Sequence, residues 1–312
     1  MNSPPLLSIC IPTYNHAEYL EKILANLTSL PSFAKGDVEI VLSDNASSDA
    51  TQKVGEQYAA RFPGCVNYFR NAENVVDANF GLALSRGTGK FLKLVNDTLL
   101  YSEQGLSNML ETIRRWEVEQ PILFFSNQGG TTKEHICSSL DELFEAITFH
   151  STWIGSFGIW KNDFEHLTDF GRASKLKLTQ VDVLCRMMSE RKKAVVDTTE
   201  FATSIPRKTI GGYNLAEVFG RNYFTILSEY VKSGEMSSRV FRREKYRMLR
   251  YHILPFYLTF SPRVRFPKSG YLQYLIHDYW SSLFYWSTVP FVTGAWFVQW
   301  VLDLVRGRGD AQ

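Results

Sequence analysis

Residues 6–15 read Leu6-Leu7-Ser8-Ile9-Cys10-Ile11-Pro12-Thr13-Tyr14-Asn15, and the rest of the chain is organised around this stretch. An apolar run of strand length is stopped by Pro12, which has no N–H for a sheet ladder, so Leu6 to Ile11 reads as a buried strand ending in a polar loop. A helical stretch follows from Ala17 to Leu30, where Tyr19, Leu20, Ile23, Leu24 and Leu27 recur at helical spacing. The alternation then repeats, with strands at Val38 to Leu42, Val66 to Phe69 and Phe91 to Val95 and helices at Thr51 to Phe62 and Val75 to Ser85. Strands alternating with helices of this length predict an α/β fold with a mainly parallel central sheet covered by helices on both faces.

Ligands of such sheets bind at the carboxyl ends of the strands. The residues there are Thr13, Tyr14 and Asn15 after the first strand, Asp44, Asn45 and Ser47 after the second, and Asn96, Asp97 and Thr98 after the fourth. Three polar loops therefore face one crevice. Asp44 is placed to accept a hydrogen bond from a base or ribose, whereas Asp49 caps the following helix. Asp97 is the lone carboxylate of its triplet, flanked by an amide and a hydroxyl. A hard cation such as Mn²⁺ or Mg²⁺ prefers oxygen ligands, so Asp97 and Thr98 are the metal candidates, with weak affinity expected from a single charge. The structural alternative is a turn leading into the next helix. Arg70, directly after the third strand, is on the correct side to meet phosphate, while Lys90 sits at the far end of its strand and Lys93 reads as an edge or snorkelling residue.

Further along, helices are expected at Leu106 to Trp116, Leu140 to Ile147 and Leu178 to Ser189, with a strand at Ile122 to Phe125. His150, Trp153 and Trp160 suit a pocket wall and suit ordinary core packing equally. Asp182 is the candidate general base for an acceptor hydroxyl, with Arg186 to orient it and Gln180 to bind sugar; His150 is the alternative base. An Asp182–Arg186 surface ion pair explains the same spacing.

At 312 residues, 45% apolar and 21% charged, the chain can bury a large core. Its formal charge of +2 argues against general nucleic-acid binding. Cys10, Cys65, Cys137 and Cys185 lack the close pairing of a zinc site or a secreted scaffold, which favours a reducing compartment. Pro12 follows the first apolar run too early for a secretory signal. Neither common Gly-rich phosphate loop, nor a His-Glu-x-x-His site, nor a nucleophile elbow is present.

Ser8 to Asn15, then Glu39 to Thr51, then Asn74, Asn79 and the strand into Asn96, Asp97 and Thr98 together resemble the inverting glycosyltransferases of family 2. The spacing through Asn71 to Asn79 and Gly89 to Leu100 is similar to the branch with abequosyltransferases and other bacterial surface-polysaccharide enzymes. The resemblance implies the GT-A nucleotide-sugar fold and a nucleoside-diphosphate sugar as donor. It sets Pro12, Thr13 and Asn15 against the nucleotide, Asp44 on the nucleoside with Asn79 supporting that pocket, and the acidic motif on Asn96, Asp97 and Thr98. In relatives the first and third positions of that motif are usually acidic. The family's catalytic Asp maps closest to Thr179 and Gln180, so Asp182 is carried over with a shift in register. The implied mechanism is a single displacement with inversion, Asp182 deprotonating the acceptor while Asp97 and its neighbours stabilise the departing diphosphate.

Two units are expected: a catalytic unit over residues 1–205, with its nucleotide-sugar half at 1–100 and acceptor half at 101–205, and a helical extension over 206–312 with membrane attachment at 250–308. Between Arg239 and Lys268, Arg242, Arg243, Lys245, Arg247, Arg250, Arg263 and Arg265 alternate with Tyr251, Phe256, Tyr257, Phe260 and Phe266. That pattern matches an anionic lipid surface. Leu283 to Leu302 carries no formal charge and contains Trp286, Phe291, Trp296, Phe297 and Trp300. About 20 such residues can span a bilayer, but Pro290 and Gly294 interrupt the run and Asp303 closely follows it, so a broken helix or a pair of helices lying in the interface fits equally well. A peripheral position on the cytoplasmic face of the inner membrane is expected, with one spanning helix as the alternative. A lipid-linked or glycan acceptor follows from that location. A buried terminal helix or a contact between copies, giving a homo-oligomer, explains the same composition. The second functional class is a noncatalytic nucleotide-sugar or glycan-assembly protein that kept the sheet and lost the acidic ligands.

Overall fold

Pro12 lies inside a strand. In the computed structural model, which describes residues 4–129, 134–258, 264–267, 269–270, 273–274, 277, 279, 290, 294, 297–298 and 301–302, the first strand continues through it to Thr13. The reason is one of sides. Cys10 O accepts from Val95 N at 2.9 Å on the flank toward the neighbouring strand, and position 12 faces that same flank, where pairing has already ended at Cys10. A residue without a donor is harmless there.

In chain order the strands are β1 (Leu7–Thr13), β2 (Val38–Asp44), β3 (Val66–Arg70), β4 (Phe91–Leu94), β5 (Leu99–Tyr101), β6 (Ile122–Phe125), β7 (Glu134–Cys137), β8 (Gly158–Trp160), β9 (Ala194–Asp197), β10 (Ala202–Ser204), β11 (Ile210–Gly211) and β12 (Val264–Arg265). The helices are α1 (Ala17–Ser29), α2 (Pro31–Ala34), α3 (Thr51–Arg61), α4 (Ala78–Ser85), α5 (Glu103–Trp116), α6 (Leu140–Ile147), α7 (Lys161–His166), α8 (Thr179–Arg191), α9 (Tyr223–Lys232), α10 (Ser238–Met248) and α11 (Leu254–Leu258). The central sheet has the order β3-β2-β1-β4-β8. Its first four strands are parallel and β8 closes the edge antiparallel to β4. A second sheet, β6-β9-β7, stands beside it, and β10 pairs with β5.

Side chains alternate across β1, and each face has its own core. Ile9 and Ile11 join Ile40, Phe91, α1 residues Leu20, Ile23, Leu24 and Leu27, and α5 residues Leu106, Leu110 and Ile113. Cys10 points the other way, into a cluster with Val41, Leu92, Phe144 and Leu184 that runs on to Tyr223, Met248, Leu249 and Tyr279. The expected parallel sheet with helices on both faces is present. Several short strands, β5 and β7 to β10, were not visible as patterns, because runs of three or four residues carry no periodicity. Trp160, one of the pocket-wall candidates, belongs to β8: it is fully buried, packs edge-on to Phe91 at 5.0 Å and donates its indole N–H to Pro121 O at 2.7 Å.

The C-terminal helices are packed on this body. Val240, Met248, Leu249 and Ile253 are buried, Arg243 pairs with Glu145 at 2.9 Å, and the Lys245 ammonium lies over the rings of Phe224, Phe241 and Tyr279. Part of the basic and aromatic alternation is thus intramolecular packing. Among the described residues no helix is long and apolar enough to cross a membrane. Arg263 and most of the run Leu283 to Leu302 lie outside the described residues.

Candidate functional site

Asp97, 5% exposed at the carboxyl end of β4, is the point where three segments meet. Its Oδ2 accepts from the Thr13 hydroxyl at 2.9 Å and is 2.8 Å from His16 Nδ1. Its Oδ1 faces the Arg207 guanidinium at 3.5 Å. The hydrogen bond to Asp97 holds the His16 imidazole above its ordinary pKa, against the opposing effect of burial. Thr98 is buried, and its backbone carbonyl accepts from Ile205 N at 2.7 Å. Asn96 Oδ1 is buried with no hydrogen-bond partner.

The loop after β1 is fitted to the loop after β2. Asn15, in the left-handed region at φ 52°, donates its N–H to Ser47 Oγ at 2.9 Å and accepts from Ser48 N at 2.7 Å. Such a backbone suits asparagine better than most side-chain-bearing residues. Pro12 is half-buried and Tyr14 is 45% exposed at the rim of this loop. Asp44 is fully buried and satisfied within the protein: it accepts from Tyr68 Oη at 2.6 Å, Arg70 at 2.9 Å and Ser47 N at 2.9 Å. Burial and the Asp44 charge push the Tyr68 phenol well above its usual range. Arg70 is tied down as well, donating also to Ser47 O at 2.9 Å.

An amide ladder ties the loop after β2 to the segment between β3 and α4. Asn45 donates to Asn74 Oδ1 at 2.8 Å and accepts from Asn71 at 3.1 Å; Asn71 in turn donates to Asn79 Oδ1 at 2.9 Å. Asn79 also accepts from Ser43 Oγ at 2.6 Å, and Arg86 caps the ladder through Ser43 and Asn71. These amides find their partners among themselves, which keeps a polar floor rigid in a buried place.

The acceptor-side candidates cluster around the first turns of α8. Gln180 Nε2 donates to Thr152 O at 2.6 Å, tying α8 to the turn that carries His150 and Trp153, and Gln180 Oε1 is buried without a partner. His150 stacks on Phe149 at 5.1 Å, and burial lowers its pKa. Trp153 stacks on Phe201 at 6.2 Å. Asp182, 3% exposed on its side chain, is gripped by Arg172 at 2.6 Å and Arg186 at 3.0 Å. Arg186 is further held by Thr168 O and Asp169 O.

His16, Tyr68, Arg86, Arg172 and Arg207 join the residues expected from the sequence. His16 follows Asn15 directly and was within reach of the motif. Arg207 lies far along the chain and carries no local signal. Lys93 is neither an edge nor a snorkelling residue: it is fully buried on a central strand, donating to Gly155 O and to Leu94 O and lying 5.4 Å from the Phe201 ring centroid.

A model of the family described as glycosyl transferase family 2 matches residues 8–168, the segment that supplies these strand-end loops. The chain belongs to that family. Among glycosyltransferase relatives, abequosyltransferase RfbV of Salmonella typhimurium is 38% identical over 87 residues, which cover 28% of this chain and 26% of that protein. The chain thus spans about a quarter of the length of this relative. Among solved structures, Staphylococcus aureus TarS 1–349 with UDP-GlcNAc superposes with a TM-score of 0.59 at 13% identity, covering 88% of this chain and 80% of that one. The mannosyltransferase PcManGT of Pyrobaculum calidifontis, solved with GDP-Man and Mn²⁺, gives 0.50 at 14% identity over 96% of this chain and 76% of that one. At these identities the structures speak for a shared fold.

A divalent ion is implied by the family resemblance, and the residues at Asp97 do not fit one. Asp97 is the only carboxylate of its triplet, one of its oxygens is occupied by Thr13 and His16, and a guanidinium faces the other. Among the described residues no group of three or more His, Cys, Asp or Glu is assembled to hold a metal.

Proposed function

We propose that this family 2 member transfers a sugar from a nucleoside-diphosphate sugar to a lipid-linked or polysaccharide acceptor in bacterial cell-surface glycan synthesis, with inversion at the anomeric carbon. The observation that carries this reading is the meeting of the polar loops at the carboxyl ends of β1, β2 and β4, inside the segment that matches the family. Loops at that end of an open α/β sheet are where nucleotides bind. Pro12 to Asn15 form the nucleoside side, backed by the buried Asp44 with its partner Arg70 and by the rigid ladder through Asn45 and Asn79. Asn96 Oδ1, buried and unpartnered, is an acceptor suited to a ligand hydroxyl. Asp97 and its donors stand at the diphosphate.

His150, Trp153, Gln180 and Arg186 belong to the acceptor half. Asp182 acts as the base by exchanging one guanidinium for the acceptor hydroxyl. The reaction breaks the bond between the anomeric carbon and the diphosphate oxygen while the acceptor oxygen forms its bond and gives up its proton. The likeness to an abequosyltransferase supports the surface-glycan assignment, and the aromatic and basic C-terminal helices support an acceptor presented at a membrane.

The test is incubation of the purified chain with radiolabelled UDP-, GDP-, CDP- and dTDP-sugars and a bacterial lipid extract. Label is expected to move from the aqueous phase into lipid for one donor class. Label that stays in the aqueous phase, with no sugar released from any donor above the no-enzyme control, defeats the proposal.

A further inference from the structure

The disagreement between the family's metal and the residues at Asp97 has a structural counterpart in the segment after β10. Ser204 ends β10 opposite Leu99, and Ile205 N donates to Thr98 O at 2.7 Å. Three residues on, Lys208 is fastened to α1: its N–H donates to Tyr19 Oη at 3.0 Å and its ammonium pairs with Glu18 at 2.8 Å. Residues 205–208 are thus a strap pinned at both ends across the carboxyl end of β4. Arg207 hangs from it, 37% exposed on its side chain, with its guanidinium 3.5 Å from Asp97 Oδ1. A divalent ion bound to that oxygen would stand about 2.0–2.6 Å from it, in the space the guanidinium faces.

We propose that Arg207 is the cation that meets the diphosphate of the donor, so that the site works without a divalent ion, and that Asp97 is its positioning residue. The inference rests on the donor-site reading above. Guanidinium is suited to the task because it is charged at every working pH and presents a planar fork of donors that matches phosphate oxygens two at a time. Asp97 supplies the orientation: with Thr13 and His16 fixing its other oxygen, the carboxylate cannot turn away, and the strap cannot drift while Lys208 and Ile205 are held. A preset cation of this kind stabilises charge on a leaving group without reorganising at the moment of reaction. Asn96 and Thr98, standing where acidic residues would serve a metal, are the neutral residues expected when the positive charge comes from the protein.

The experiment is calorimetric titration of the full chain with UDP, GDP, CDP and dTDP and with the corresponding monophosphates, in EDTA and again in Mn²⁺. The best diphosphate is expected to bind within ~2-fold equally in both buffers. Arg207→Gln should weaken that diphosphate ~10- to 100-fold, as loss of a charge-assisted hydrogen bond does, while its monophosphate changes less than ~3-fold. Arg207→Lys should fall between the two, and unchanged thermal melts will show that both variants fold. Affinity that rises tenfold or more with Mn²⁺ overturns the proposal and leaves the donor-site reading standing. Equal weakening of mono- and diphosphate in Arg207→Gln also overturns it. Binding of no nucleotide in either buffer defeats the donor-site reading itself, and this proposal with it.

Discussion

Asp97 holds two donors on one oxygen and faces a third on the other, so Asp97→Asn preserves the shape while removing the charge that aligns them. Turnover is expected to fall ~100-fold or more, comparable to loss of one preorganised electrostatic contact, with a melting temperature within a few degrees of the parent. A steady-state transfer assay paired with a thermal melt checks this; parent-level transfer by the variant would remove Asp97 from the mechanism. Lys93 offers a different residue-scale test. Burial presses its pKa down from the usual 10.5 to about 7, so between those values the unfolded chain holds a proton that the folded chain does not. The Lys93 contribution to stability therefore rises with pH across that window, on the order of a few kcal/mol at most, and is weakest at and below about pH 7. Lys93→Met should remove this rising contribution, shifting the pH dependence of the urea midpoints between pH 7 and pH 9.5 downward relative to the parent. Parallel rises in parent and variant would mean that the ammonium keeps its charge when buried.

At the scale of elements, α8 is the piece whose placement the proposed acceptor side depends on. Asp182 in its first turn ties it to Arg172 in the preceding loop and to Arg186 one turn on, and Gln180 ties it to the turn before β8. Asp182→Asn is expected to cost about 1–3 kcal/mol of stability, less than the loss of a fully buried pair because Arg172 is partly solvated. Chemical denaturation measures that loss, and the transfer assay separates the two roles: a base leaves a folded and silent enzyme, while an anchor leaves one that is destabilised and still active. The i,i+4 spacing of Asp182 and Arg186 was legible in the sequence. Arg172 was not, because it reaches Asp182 from a loop with no periodicity. The same contrast holds for β1, whose end was read at Ile11 because proline ends most ladders, whereas the flank that Pro12 faces depends on where β4 stops.

For the whole molecule, a truncation separates the packing of the C-terminal helices on the body from the proposed attachment to a membrane. Tyr279 is 2% exposed and packs beneath the Lys245 ammonium, so a cut after Ser269 would injure the core. A chain ending at residue 280 keeps that contact and loses the aromatic run. It is expected to melt within a few degrees of the full chain and, if the proposed attachment holds, to stop cosedimenting with anionic vesicles, since the apolar run proposed to insert would be gone. Undiminished cosedimentation would place membrane binding elsewhere or nowhere.

By itself the sequence determined the alternation of strands and helices, the two-faced burial of the sheet and the three polar loops that meet at its carboxyl edge. Those features follow from side-chain periodicity and from proline and asparagine chemistry, which act over a few residues. Only the tertiary structure decided which charges face one another. It paired Asp44 with Arg70 and set Asp97 between His16 and the distant Arg207, because an ion pair depends on distance in space and leaves no trace in sequence spacing.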